Sequence, residues 1–139
     1  MGKCKDILKV TKMKKAAIYT EAAPTPLGAY SQAIVAGDLV FTSGQLPIDP
    51  KTGNIVGDTI EGQTRQVLNN IGAILTKAGG SIDSTVKVTV FLKDLNDLQA
   101  MNKVYGEFFS PDSTARMVFQ ASRLPRDVKV IMDAVAYLK

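Results

Sequence analysis

Arg116 interrupts an otherwise apolar run, Ala115-Arg-Met-Val-Phe. On a strand its side chain shares a face with Val118 and Gln120, while Met117, Phe119 and Ala121 point the other way. A guanidinium on a sheet is costly unless paired, because a buried charge left alone loses its hydration. Two readings stand. One is a fork that receives a small anionic ligand, most naturally a carboxylate, through two parallel hydrogen bonds. The other is an ion pair with an Asp or Glu of a neighbouring strand or subunit. Two further segments, PTPLGAYSQ (24–32) and TSGQLP (42–47), hold candidate groups. Gly44 lets a backbone N–H approach a ligand, and Tyr30, Ser31 and Ser43 supply hydroxyls. A structural turn explains each of these equally well. Arg123 and Arg126, around Leu-Pro, read as a solvated loop.

Other chemistries are excluded by residue type. The chain of 139 residues has no histidine, which removes Ser-His-Asp triads, Cys-His pairs and His-ligated metals. Cys4 is the single cysteine, so an intramolecular disulfide, a Cys-x-x-Cys redox pair and a thiolate zinc cluster are excluded as well. Neither G-x-x-x-x-G-K-[ST] nor G-x-G-x-x-G occurs. The absence of tryptophan, with 6% aromatics, leaves few platforms for stacking single-stranded nucleic acid. The formal charge of +4 belongs to a leader: residues 1–15 hold six lysines against Asp6. The remainder, with 11 basic and 12 acidic residues, nets −1. A basic extension over 1–15 and a single domain over 16–139 are therefore expected, with Met13 as an alternative start. No apolar run reaches the ~18 residues of a membrane span, and the N-terminus lacks the apolar core of a secretory signal. The expectation is a soluble cytoplasmic protein with no membrane or nucleic-acid partner.

The elements that must position these residues follow from patterning. Strands are expected at 16–20, 31–36, 39–43, 85–92, 115–121 and 129–137, with Gly37-Asp38 as a two-residue hairpin turn. A helix over 59–78 is framed by Asp58 and Glu61, which resemble a capping box, and by Gly79-Gly80. A second helix runs from a cap at Asn96 to Phe109, with Leu98, Met101, Tyr105 and Phe108/Phe109 as its apolar stripe. The result is an α+β domain: a six-stranded mixed sheet with two helices on one face. On the last strand both faces are largely apolar, so the face without helices needs another cover, most economically a second copy of the chain.

Together PLGAYSQ (26–32), TSGQLPIDPKTG (42–53), QTRQVLNNIGAIL (63–75), VKVTVFLKDLND (86–97), MNKVYGEFF (101–109) and AR–RLPRDVKV (115–116, 123–130) resemble the Rid/YjgF family. These small imine deaminases are also labelled endoribonuclease L-PSP or translation inhibitor. The resemblance spans about Ala16 to Ala136. It implies a chorismate-mutase-like subunit in a homotrimer, with ligand sites in the clefts between subunits. It also implies cofactor-free hydrolysis of 2-imino acids, such as 2-iminobutanoate and 2-iminopropanoate, to 2-keto acids and ammonia. By position, Arg116 matches the arginine that grips the substrate carboxylate. Tyr30, Ser43, Gly44 and Asn102 match cleft residues, and Val118 supplies a backbone N–H to the carboxylate. Three positions depart from the family: Ala115 stands for a proline, Val118 for a common cysteine, and Ile131 for the water-orienting glutamate.

Ile131 cannot bind or polarise water. Asp133 lies on the same strand face, about 7 Å further along, and is a candidate to position water through a bridging molecule; pairing with a nearby cation is its bland alternative. Three functions compete: an imine deaminase, a regulatory trimer that binds 2-keto or 2-imino acids with little turnover, and an RNA-acting protein. The last is disfavoured by the domain charge of −1 and by the lack of histidine for acid–base cleavage.

Overall fold

The computed structural model describes residues 14–139. Cys4, Met13 and most of the basic leader lie outside the described residues. Six strands form one sheet in the order β1-β2-β3-β6-β4-β5. They are β1 (Lys15–Ile18), β2 (Ala33–Ala36), β3 (Leu39–Thr42), β4 (Thr85–Leu92), β5 (Ala115–Gln120) and β6 (Val130–Tyr137). All neighbours are antiparallel except β4 and β5. The two helices, α1 (Ile60–Lys77) and α2 (Leu98–Phe108), make the long connections from β3 to β4 and from β4 to β5. The expected α+β sheet with two helices is thus the observed one. At the β2–β3 turn, Gly37 takes φ 60°, a value that L side chains rarely adopt.

Both helix starts differ from expectation. Thr59, not Asp58, caps α1: its backbone is still extended, and its Oγ1 accepts from the Gly62 N–H at 3.2 Å. Ile60 behind it is buried and begins the apolar face, which places the cap one residue later. Asn96 caps nothing. A 3-10 turn over Leu95–Asp97 precedes α2, and Asp94 Oδ1 accepts from the Asn96 N–H at 2.8 Å. At the other end of α1, Gly79 turns left-handed (φ 100°) and the Gly80 N–H reaches the Leu75 carbonyl at 2.9 Å, closing the helix.

One sheet face forms the main core. Val88, Val90, Leu92, Val130, Met132, Ala134 and Ala136 pack with Val67, Leu68, Ile71, Ile74 and Leu75 of α1 and Met101 and Tyr105 of α2. The opposite face is covered at one end only, where Leu124, Val128 and Ile131 pack with Leu46, Ile55, Phe91 and Ala121. The rest exposes Leu39, Phe41, Met117, Phe119 and Tyr137, between 38% and 56% accessible. They form two groups, Leu39, Phe41 and Tyr137 on β3 and β6 and Met117 and Phe119 on β5, with Lys87, Thr89 and Asp133 on the face between them. Exposed apolar groups of this size mark an interaction surface. Among the described residues no helix is long and apolar enough to cross a membrane.

Candidate functional site

The loops before and after β2 and β3 are held by buried amides. Gln32 is 1% exposed. Its Oε1 accepts from the Thr20 N–H at 2.7 Å, and its Nε2 donates to the carbonyls of Thr20, Ala23 and Pro24 at 2.9, 3.2 and 3.0 Å. One side chain thereby supplies the partners that a strand would have given to residues 20–24. Asn70, buried on α1, donates to the carbonyls of Leu46 and Ile48 at 3.1 and 3.0 Å and so fixes the following loop. Between these pinned segments lies a cavity of about 240 Å³ lined by Pro26, Tyr30, Gly44, Leu46, Pro125 and Arg126, among others. That volume lies below the usual range for drug-sized ligands and leaves room only for a small molecule.

Within this cavity Tyr30 is half exposed, and its phenol oxygen accepts from the Leu27 N–H at 3.3 Å. Ser43 is not among the residues lining this cavity; its hydroxyl donates to the Ser31 carbonyl at 2.6 Å, which ties the two loops together. The N–H of Gly44 has no acceptor among the described residues. Gly44 also has a packing reason to lack a side chain, because a Cβ there would lie 3.2 Å from Ile131 Cγ2. Ile131 itself is 9% exposed in the small apolar cluster.

The second group of candidates sits elsewhere. Arg116 is on β5, the edge strand, with its guanidinium carbon 4.6 Å from the centre of the Tyr105 ring on α2. This is a cation–π contact. The Tyr105 hydroxyl is 2.7 Å from Thr114 Oγ1, which fixes the ring against the chain just before Arg116. Burial pushes the Tyr105 phenol above its ordinary value, with the Thr114 hydrogen bond and the Arg116 charge pulling the other way. Asn102, Tyr105, Gly106, Phe109, Thr114 and Arg116 line an open cleft between α2 and β5. Among the described residues no carboxylate lies within ion-pair distance of Arg116. The intrachain ion pair therefore finds no partner here. Val118, on the same face, is half-buried against the main core.

Replacing Tyr105 tests whether the ring orients the guanidinium. Tyr105→Phe keeps the stacking face, whereas Tyr105→Leu removes it. The expected result is that the leucine variant weakens binding of a small carboxylate by about fivefold, on a contact worth roughly 1 kcal/mol, while the phenylalanine variant stays within about twofold. Titration calorimetry checks this, and equal losses in both variants would assign the effect to the hydroxyl.

Within one chain the two groups do not meet. β6 and β4 separate β3 from β5, so three strand spacings, about 14 Å, lie between them. Asp133 lines neither cavity; it stands opposite Thr89 on the sheet face away from Arg116. Among the described residues no cluster of three or more His, Cys, Asp or Glu is placed to hold a metal ion. Sequence reasoning missed the positioning roles of Gln32, Asn70 and Tyr105. Arg126 is exposed, as its reading as solvated loop expects, and it also lines the cavity of Tyr30 and Gly44.

Comparison with known proteins places this geometry. Residues 20–138 match the family model described as Endoribonuclease L-PSP. A RutC family protein of Pyrococcus abyssi is 54% identical over 125 residues, covering 90% of this chain and 98% of its own. The 2-iminobutanoate/2-iminopropanoate deaminase of Salmonella typhimurium is 44% identical over 122 residues, covering 86% and 94%. Among solved structures, E. coli TdcF with bound serine superposes with a TM-score of 0.81 at 42% identity, covering 88% of this chain and 98% of that one.

Proposed function

We propose, from the premise that the chain belongs to the endoribonuclease L-PSP (Rid/YjgF) family, that it hydrolyses small 2-imino acids to 2-keto acids and ammonia. It does so as a homotrimer whose sites form where two copies meet. The observation that carries this reading is Arg116: a guanidinium braced on Tyr105, facing an open cleft, with no carboxylate within ion-pair distance among the described residues. A fork so placed has one natural partner, the carboxylate of a small ligand. The exposed sheet face of Leu39, Phe41, Met117, Phe119 and Tyr137 supports docking of a second copy. Such docking is the route by which Arg116 and Asn102 of one subunit can face Tyr30, Ser43 and Gly44 of the next.

In this site the carboxylate is gripped by Arg116 and the N–H of Val118, and the free N–H of Gly44 offers a further donor. Water adds to the imine carbon to give a carbinolamine. The C–N bond then breaks, the carbonyl forms, and nitrogen leaves as ammonia with the protons that water brought. The imine carbon is intrinsically electrophilic, so binding and orientation supply much of the acceleration. With Ile131 in place of a carboxylate, turnover is weak but real. The assay is release of ammonia and keto acid from freshly generated 2-iminobutanoate, with an RNA substrate in parallel. Ammonia release above the uncatalysed rate, and intact RNA, are expected. A second reading, a trimer that binds 2-keto acids without turning over imines, is favoured by the apolar surroundings of Ile131. Binding of 2-ketobutyrate without ammonia release would select it.

Two substitutions examine the water. Asp133→Asn is expected to lower the rate severalfold if a bridging water links Asp133 to the imine; an unchanged rate removes Asp133 from the mechanism. Ile131→Glu introduces the missing carboxylate. Its cost follows from the contacts of Ile131 with Leu124 and Val128: a carboxyl buried among them should destabilise the fold by about 2 kcal/mol. Thermal unfolding reads that loss separately from the rate, which should rise in the molecules that remain folded.

A further inference from the structure

The geometry points to a second anion subsite in the same pocket, at Arg126, which would direct the protein toward dicarboxylic 2-imino and 2-keto acids. This inference rests on the proposed function and adds the class of substrate. Arg126 lines the cavity that holds Tyr30 and Gly44, and it also lines an adjoining cavity of about 120 Å³ bounded by Pro24, Thr25, Leu27, Ile48 and Gly53. Among the described residues neither lining includes an Asp or Glu, whereas two outer depressions that Arg126 also lines include Asp127 and, in one of them, Asp58. Ile131 stands against Gly44, so from that position no carboxylate opposes an incoming anion.

The loop that carries Arg126 is built to present it. Arg126 and Asp127 take φ values of 55° and 56°, a left-handed pair that non-glycine residues adopt only at some expense in free energy. Asp127, the nearest carboxylate in sequence, is already occupied, because Lys93 Nζ stands 2.8 Å from its Oδ1. The hydrogen bond from Lys93 holds the Asp127 carboxyl below its ordinary range, so it stays charged and engaged with that lysine. Arg126 has no ion pair among the described residues. Its nearest polar contact is the Gly53 carbonyl at 3.5 Å, at the outer limit of a hydrogen bond. An exposed, unpaired guanidinium beside prolines and leucines, at the rim of the pocket that in the proposed assembly meets Arg116 of a neighbouring copy, fits a second carboxylate at the far end of the ligand.

The test is calorimetry with two keto acids, 2-ketobutyrate and 2-ketoglutarate, on the unmodified protein, Arg126→Gln and Arg126→Lys. The readout is the ratio of the two affinities within each protein, which a general loss of folding does not create. In the unmodified protein 2-ketoglutarate should bind about fivefold tighter, the advantage of one partly exposed ion pair. The ratio should fall to one or below in Arg126→Gln and be partly kept in Arg126→Lys. High salt should shrink it too. A ratio of one in the unmodified protein, or a ratio that survives Arg126→Gln, overturns the subsite while leaving the deaminase reading intact. Failure of both keto acids to bind overturns the proposed function and this inference with it.

Discussion

Replacing Arg116 by alanine should weaken binding of 2-ketobutyrate by at least about a hundredfold. The loss comprises two charge-assisted hydrogen bonds, about 1.5–3 kcal/mol each, and each 1.4 kcal/mol is about tenfold in affinity. Lysine restores the charge but not the planar fork, and it stacks less well on Tyr105, so Arg116→Lys should remain at least about tenfold weak. Thermal stability should change little in either case, because the side chain is exposed and has no ion pair among the described residues. Calorimetry reads the first effect and a melting curve the second. Unchanged affinity in Arg116→Ala would show that the carboxylate is held elsewhere.

The second large effect concerns the uncovered sheet face. Met117, 56% exposed, points away from Arg116 toward that face, and its neighbour Phe119 packs edge-on against Phe91 at 4.8 Å between ring centres. Met117→Glu should leave the subunit folded, since the side chain contributes nothing to the main core. Buried between two copies, however, the carboxylate would be desolvated without a partner. Light scattering should give about three times the chain mass for the unmodified protein and one chain mass for Met117→Glu. Imine hydrolysis should vanish with the assembly, although Arg116 and Tyr30 are both intact. A fully active monomer would contradict a site shared between copies.

Much of the scaffold was legible in the sequence because its signals are local. The β-branched run Thr85–Leu92 is a strand with those same ends, and the i, i+3, i+4 apolar spacing of Val67, Ile71, Ile74 and Leu75 defines the buried face of α1. The alternation on Val130–Tyr137 correctly indicated two apolar faces. What escaped depends on distant partners. Gln32 and Asn70 look like ordinary polar residues until the chain brings the carbonyls of Thr20, Pro24, Leu46 and Ile48 around them. The cap of α1 shifted by one residue because Thr59 and Asp58 are both competent caps, and burial of Ile60 decides between them. Arg126 reads as solvent-facing and is exposed, but nothing in Leu-Pro-Arg-Asp reveals its two successive left-handed residues or its place in the cavity lining. For the site, the resemblance supplied residue types, while the division of Arg116 and Tyr30 between two separate cavities is visible only in three dimensions.

That division makes the central claim directly testable by mixing subunits. Arg116→Ala lacks the carboxylate fork, and Tyr30→Ala lacks a wall of the other cavity, so each alone should be nearly inactive. Unfolding the two together and refolding them allows mixed trimers in which an intact Arg116 from one copy faces an intact Tyr30 from its neighbour. For random mixing in equal amounts, about a quarter of the sites in such closed rings are whole, and imine hydrolysis should recover to about that fraction of the unmodified rate. Activity no higher than the average of the two parents, in mixtures shown to have exchanged subunits, would mean that each site is built within a single chain.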